Sequence, residues 1–369
     1  MSGNGAVRGH AREPSGHLWP SHTQLCLLEA ATGQGPKAVE AYRQWRSGVD
    51  LDAEFGWEIL RLLPLVYHNL HAQGFDEPLM GRLKGVYRRA WVENHQLFHA
   101  ARPAVEALTR RGMGVLLLKG APLVLEYYRN HALRPMADVD LAVRRSDAPD
   151  AAACLSELGW RFGRPLDPDL LRFHNAVRCF GPGGAELDLH WHVTYEACTE
   201  EADHELWGRS EPLDYMGIPV RQLDPTALLL HTVIHGLRWN QETPIRWIPD
   251  ALTILRRRGE EVDWETLEAL ALDLEVPVRL RMGLGFLASS FGAPVPAPVL
   301  ARLPSKAVSL RERIDNSVLL SDPSFYEGSA LRWQWVLFTE FYRRYWATGP
   351  LDLVSGFSHF IRFRWGLGG

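Results

Sequence analysis

Cysteine is scarce. The chain has four, Cys26, Cys154, Cys179 and Cys198, in 369 residues, and no two form a C-x-x-C pair. That spacing excludes a disulfide scaffold and a thiolate zinc site, and leaves the four as small apolar residues. Long apolar runs are also missing: no stretch approaches the ~18 residues of a membrane span, and the first residues lack the apolar core of a secretory signal. A cytoplasmic protein without membrane contact is therefore expected. Nor is there an excess of positive charge. Lys and Arg total 40 against 44 Asp and Glu, a formal net charge of −4, which does not favour a protein that coats nucleic acid by neutralising phosphates. No repeat recurs at a fixed period.

What is present is ordinary core material, with 46% hydrophobic and 23% charged residues, in a chain long enough for about two to three domains. Fourteen tryptophans are unusual; such rings build cores or wall pockets. Residues 1–17 read as a disordered leader. Residues 18–104 carry helical stripes (Leu25, Leu27, Leu28; Ile59, Leu60, Leu62, Leu63, Leu65, Val66) broken at Gly33–Pro36 and at Gly74. His95 and His99, four apart, read as polar residues on a helix surface.

Residues 105–223 change character. Val115–Leu118 is a short apolar run ended by Gly120, as in a buried strand, and Pro122 suits the first turn of a helix behind it. Val139, Leu141 and Val143 alternate with polar neighbours, predicting a strand with one buried face. Ser146 or Asp147 can cap the next helix. Ala176–Phe180 and Glu186–Val193, joined by Gly181–Gly184, predict a hairpin. From Asp224-Pro225, an N-cap and first-turn pair, residues 224–369 return to helix, with segments expected at 226–237, 244–257, 264–274, 278–291 and on to about 346. The fold class is α+β: a small α/β core with a short mixed sheet, flanked by helical regions.

Three constellations carry chemistry. Asp138 and Asp140 flank Val139; on a strand both carboxylates face one side, and their repulsion is commonly relieved by a divalent cation held by hard oxygens. Taken alone, D-V-D is a weak signal, since two aspartates around a valine are common and most often solvated. In E-L-D-L-H-W-H, residues Glu186, Asp188, His190 and His192 share a face; beside the first strand, Asp188 would complete the three carboxylates of a two-metal phosphoryl-transfer site. Lys119-Gly120 lies between strand and helix, where backbone N-H groups and a lysine suit a phosphate, although the P-loop spacing is absent. His231 and His235 share a helix face, without the glutamate of H-E-x-x-H.

The order of these parts resembles the minimal core of the DNA polymerase beta-like nucleotidyltransferase superfamily. Within it, L-L-L-K-G-A-P-L, L-R-P-M-A-D-V-D-L-A-V, L-D-L-H-W, L-L-H-T-V-I-H-G and I-R-W-I-P-D-A look like a family of bacterial nucleotidyltransferases usually described as uncharacterised, over roughly residues 105–257. The resemblance implies that Asp138 and Asp140 bridge the metals, and that Asp188 is third ligand and base for the acceptor hydroxyl. Lys119, Gly120, Arg134, His190, His231 and His235 would then surround the nucleotide. One departure stands out: the superfamily's corner is Gly-Gly or Gly-Ser, whereas this chain has Lys119-Gly120-Ala121.

The activity so implied is Mg2+- or Mn2+-dependent transfer of a nucleoside monophosphate from an NTP, ATP first among them, to a hydroxyl or phosphate on a small molecule, peptide or protein. Nucleic acid is not favoured as acceptor, and oligomeric state is not indicated. Two other readings stay open: a decayed transferase acting as a binding partner, and a glycosyltransferase using D-x-D. A haloacid-dehalogenase phosphatase fits less well, since D-V-D-L-A lacks the threonine expected after the second aspartate.

Overall fold

A computed structural model of the chain describes residues 18–49, 56–238, 244–322, 329–345 and 361; the expected leader, 1–17, lies outside them. Four helices, α1 (His22–Thr32), α2 (Gly35–Ser47), α3 (Trp57–Leu60) and α4 (Leu63–Ala72), lead into the 31-residue α5 (Met80–Arg110). Ser21 caps α1 with a full capping box to Gln24, and Pro36 lies in the first turn of α2, so the breaks read at Gly33–Pro36 and Gly74 fall at helix junctions.

The middle of the chain runs β1 (Leu116–Leu117), a single turn α6 (Gly120–Pro122) widening into a π-helical turn (Leu123–Tyr128), β2 (Val139–Ala142), α7 (Ala148–Glu157), β3 (Arg161–Phe162), α8 (Pro168–Phe173), β4 (Ala176–Phe180), β5 (Glu186–His190), α9 (Glu200–Gly208), β6 (Ser210–Tyr215) and β7 (Ile218–Leu223). Helices follow: α10 (Pro225–Gly236), α11 (Trp247–Arg258), α12 (Trp264–Asp273), α13 (Pro277–Phe291), α14 (Ala297–Arg302), α15 (Leu310–Leu319) and α16 (Ala330–Tyr345). Asp224 caps α10, its carboxylate accepting from Ala227 N at 2.8 Å. Asp147 stands before α7 but makes no side-chain cap bond.

The seven strands form one mixed sheet in the order β3-β4-β5-β2-β1-β7-β6. β4 and β5 are the expected antiparallel hairpin; β2 and β5 run parallel, with Asp140 opposite Asp188. The β6–β7 hairpin was not expected; it turns on Met216 and Gly217, both at positive φ.

Both faces of this sheet are covered, which corrects the expectation of one buried face for β2. Leu116, Leu118 and Ala142 join a core built from the N-terminal helices together with α10–α13. Leu117, Val139 and Leu141 join a second core with α5 and α7. A fully buried Leu contributes about 2 kcal/mol, so the all-apolar run of β1 belongs in the sheet's interior. The consequence for function is that Asp140, on the parity of Ala142, is buried under helices at 4% exposure rather than solvated.

The boundary expected between residues 104 and 105 falls inside α5, and that expected at 223/224 falls at the end of β7. No helix among the described residues is long and apolar enough to cross a membrane.

Candidate active site

The parallel register of β2 and β5 assembles the acidic centre. Asp140, Asp188 and His190 each offer a ligand atom, and these atoms lie within 4.8 Å of one another; among the described residues this is the one such group. His190 Nε2 lies 3.0 Å from Asp140 Oδ1, and Lys119 Nζ donates to the same oxygen. Asp188 Oδ1 is buried and has no hydrogen-bond partner; Arg178 Nε stands 3.7 Å away, too far for one. An orphaned buried carboxylate oxygen beside a second carboxylate and an imidazole is a donor set that fits a divalent cation.

Asp138 lies one residue before β2 and is half-buried. It is not in the 4.8 Å group, yet it is close enough that, after burial itself, the charges of Asp140 and Asp188 push its carboxyl upward, against Lys119 and Arg178. Asp140 goes the other way. Burial is the largest single influence and acts upward, but Lys119 and the hydrogen-bonded His190 together outweigh it and hold the carboxyl well below the usual range.

Beside the carboxylates is a cavity of about 270 Å³ lined by residues from the Lys119 corner, the 134–140 segment, α10 and α11. It collects cations: Arg61, Lys119, Arg134, Arg238 and Arg246, against Glu58, Asp138, Asp140 and Asp250. Arg134 is a buried pin, with Nε 3.0 and 3.1 Å from the two Asp250 oxygens, one of which also accepts from Tyr128 Oη at 2.9 Å. Arg246 donates to Pro135 O at 2.5 Å and has no ion-pair partner among the described residues. Burial, then Arg134 and Arg61, pull its guanidinium down to about 9. Such crowding of positive charge favours an anion in the cavity.

His231 and His235 stack on α10 with centroids 5.7 Å apart and both line this cavity. Burial, helped by Lys119 and His190, pushes His231 down to about 4, and His235 well below its ordinary value. Both are neutral at pH 7, polar groups rather than cations, and neither joins the Asp140, Asp188 and His190 group.

The Lys-Gly corner differs from its expected form. Lys119 adopts φ 51°, ψ −107°, and the helix behind it is one turn of three residues. A Cβ on Gly120 would meet Arg134 Nη1 and Met136 Sδ, so this glycine is required by the approach of Arg134. His192 also departs: β5 ends at His190, and His192 Nδ1 turns to Asp203 at 2.6 Å. His95, expected at a helix surface, is half-buried there, its ring tilted 35° against that of His131 with centroids 4.0 Å apart.

Sequence reasoning missed Asn94, fully buried in α5. Its Nδ2 donates to the carbonyls of His131 (2.5 Å) and Arg134 (2.8 Å), and its Oδ1 accepts from Met136 N (3.0 Å), fixing the loop that delivers Asp138. The only available signal was one Asn within an amphipathic stripe. Arg61 and Arg178 likewise carried no local mark.

A sequence model of the family described as "Uncharacterised nucleotidyltransferase" matches residues 58–292, nearly two-thirds of the chain. No curated protein matches. Among solved structures, the solution structure of the antibiotic-resistance factor ANT(2'')-Ia is 17% identical, covering 49% of this chain and 91% of that one, TM-score 0.36. The crystal structure of ANT(2'')-Ia in complex with adenylyl-2''-tobramycin is also 17% identical (48% and 95%, TM-score 0.33). An antigenic nucleotidyltransferase-like protein from Paracoccidioides brasiliensis is 15% identical (56% and 97%, TM-score 0.34).

Proposed function

The chain belongs to the uncharacterised nucleotidyltransferase family, and from that premise we propose that it moves a nucleoside monophosphate from an NTP to a hydroxyl or phosphate acceptor on a small molecule, peptide or protein. The observation that carries this reading is the parallel register of β2 and β5, which sets Asp188 opposite Asp140 beside a cavity rich in cations.

In this reading Asp138, Asp140 and Asp188 hold Mg2+ or Mn2+, with His190 orienting Asp140 through its 3.0 Å contact. When bound, the cation supplies charge neutralisation at the transferred phosphoryl group. Arg246 and Lys119 face the triphosphate, Gly120 with Arg134 shapes its floor, and neutral His231 and His235 offer hydrogen bonds to the nucleotide. The acceptor oxygen forms a bond to the α-phosphorus, the bond to the β-phosphate oxygen breaks, and pyrophosphate leaves with the electron pair. The acceptor proton passes to Asp188, which in this reading is both third ligand and base. ATP is the first co-substrate to test.

One observation favours a second reading, a binding protein that has lost transfer: Lys119 already neutralises Asp140. Incubation with each α-labelled NTP and Mg2+ or Mn2+ separates the two. Label transfer or pyrophosphate release that disappears in Asp138→Asn and Asp140→Asn supports the transferase. Absence of NTP binding by calorimetry in every metal would sink it.

A further inference from the structure

A second cavity, of about 450 Å³, lies against the first. Arg61 and Met136 line both and form the partition between them. Its floor is made by Ala137, immediately before Asp138, and by Ala185, three residues before Asp188. Because β2 and β5 run parallel with Val139 opposite Leu187, these two residues sit on one rim of the sheet. A molecule resting there is next to the carboxylates without entering the cationic cavity. Gly183 and Gly184, both at positive φ with nothing within 4 Å of a built Cβ, keep that rim open.

The walls of this cavity are of another chemistry. Leu60, Val86, Leu97 and Met136 supply apolar surface, and Trp57, 50% exposed, stands at the mouth. Of the charges present, Arg89 Nε pairs with Glu93 at 2.7 Å, and Arg61 lies 3.8 Å from Glu58 and 4.6 Å over the Trp57 ring. The one carboxylate of the lining, Glu93, is already paired, which leaves none there for a polycation. The cavity offers volume, a half-exposed indole and apolar walls, with Gln96 as a neutral polar group.

We infer that this second cavity is the acceptor site, and that the acceptor is an uncharged or singly charged molecule carrying an aromatic or other apolar ring beside its reactive hydroxyl. The ring stacks near Trp57, and the hydroxyl points past Met136 toward Asp138 and Asp188. This rests on the nucleotidyl-transfer reading and narrows its acceptor; polyamines and aminoglycoside-like polycations find no free carboxylate in the cavity lining.

The full chain is titrated by calorimetry with Mn2+ and ATP, and separately with three probes: phenyl β-D-glucopyranoside (ring plus hydroxyls), glucose (hydroxyls alone) and spermine (polycation). The phenyl glucoside is expected to bind about tenfold or more tighter than glucose, a difference of one well-placed ring contact, with spermine not binding. Ala100→Phe, which fills the cavity from α5, and Trp57→Ala, at its exposed mouth, should each weaken the phenyl glucoside about tenfold while ATP affinity stays within about twofold. Equal binding of glucose and phenyl glucoside, tight spermine binding, or probe affinity indifferent to both substitutions would each overturn the inference with ATP binding intact. Loss of ATP binding in the parent protein instead removes the transfer reading beneath it.

Discussion

Replacing Lys119 with Met removes the ammonium from Asp140 and keeps an unbranched stem of similar length in the same positive-φ backbone. Asp140 is 4% exposed and its charge rests on two groups, Lys119 and His190. Stripping one partner from a buried pair costs about 3–5 kcal/mol. His190 remains at 3.0 Å and the Lys119 side chain is 21% exposed, so the low end applies, about 3 kcal/mol. Urea denaturation at pH 7 in chelator reads this as a lower midpoint. A divalent cation would supply what the lysine did. In the parent protein it must first displace Nζ from Asp140; in Lys119→Met it need not. Mn2+ should therefore bind the variant about tenfold or more tightly than the parent, and should return most of the lost stability at saturation. A loss below about 1 kcal/mol, or Mn2+ affinity no higher than the parent's, would refute the view that Lys119 and the cation compete for one carboxylate.

Asp188→Asn separates stability from ion binding: because Oδ1 has no hydrogen-bond partner, the midpoint in chelator should hold or rise by about 1 kcal/mol, while stabilisation by Mn2+ is lost. A midpoint that falls would contradict this. Asn94→Ala deprives two carbonyls and one N-H of their buried partner, a loss of about 2–4 kcal/mol; the same variant should raise the KM for NTP once an activity is in hand, since the loop carrying Arg134 and Asp138 loosens. His131 sets an acid limit. Burial, with His95 and His99, pushes it from 6.5 down to about 4, so the unfolded chain takes up the proton first. Its contribution is intact above about pH 6.5 and drains away as pH falls toward about 4. In His131→Gln, stability plotted against pH should be flatter across that window, and an unchanged slope would assign the loss to other groups.

The strands were legible where the side chains themselves carried the pattern. Alternation in Val139–Val143 and in Glu186–His190 marked β2 and β5, and Asp224-Pro225 marked the start of α10. What could not be read was non-local. Asp140 and Asp188 are 48 positions apart, and no residue between them announces that the two strands pair in parallel and in register. Likewise D-V-D has the look of a solvated face; only the helices packed over it, contributed by residues far along the chain, make Asp140 buried and Lys119 its partner. The β6–β7 hairpin escaped because Met216 takes a positive φ usually left to Gly or Asn. Gly120 was read as a corner open to a phosphate, whereas the atom crowding its missing Cβ belongs to a guanidinium.

Helix α5, about 46 Å long, packs Met80 and Leu83 into the core shared by the first and last helices, and Leu97 to Leu108 into the core beneath the sheet. This bears on how the protein can be cut. A fragment beginning at residue 80 would bare the first turns of α5 that α4 packs on, the face of α11 that α1 covers and the Phe286 ring on which Trp19 stacks, and would be expected to aggregate when expressed alone. Supplied as a separate peptide, the segment before α5 should find that same surface and restore a soluble complex.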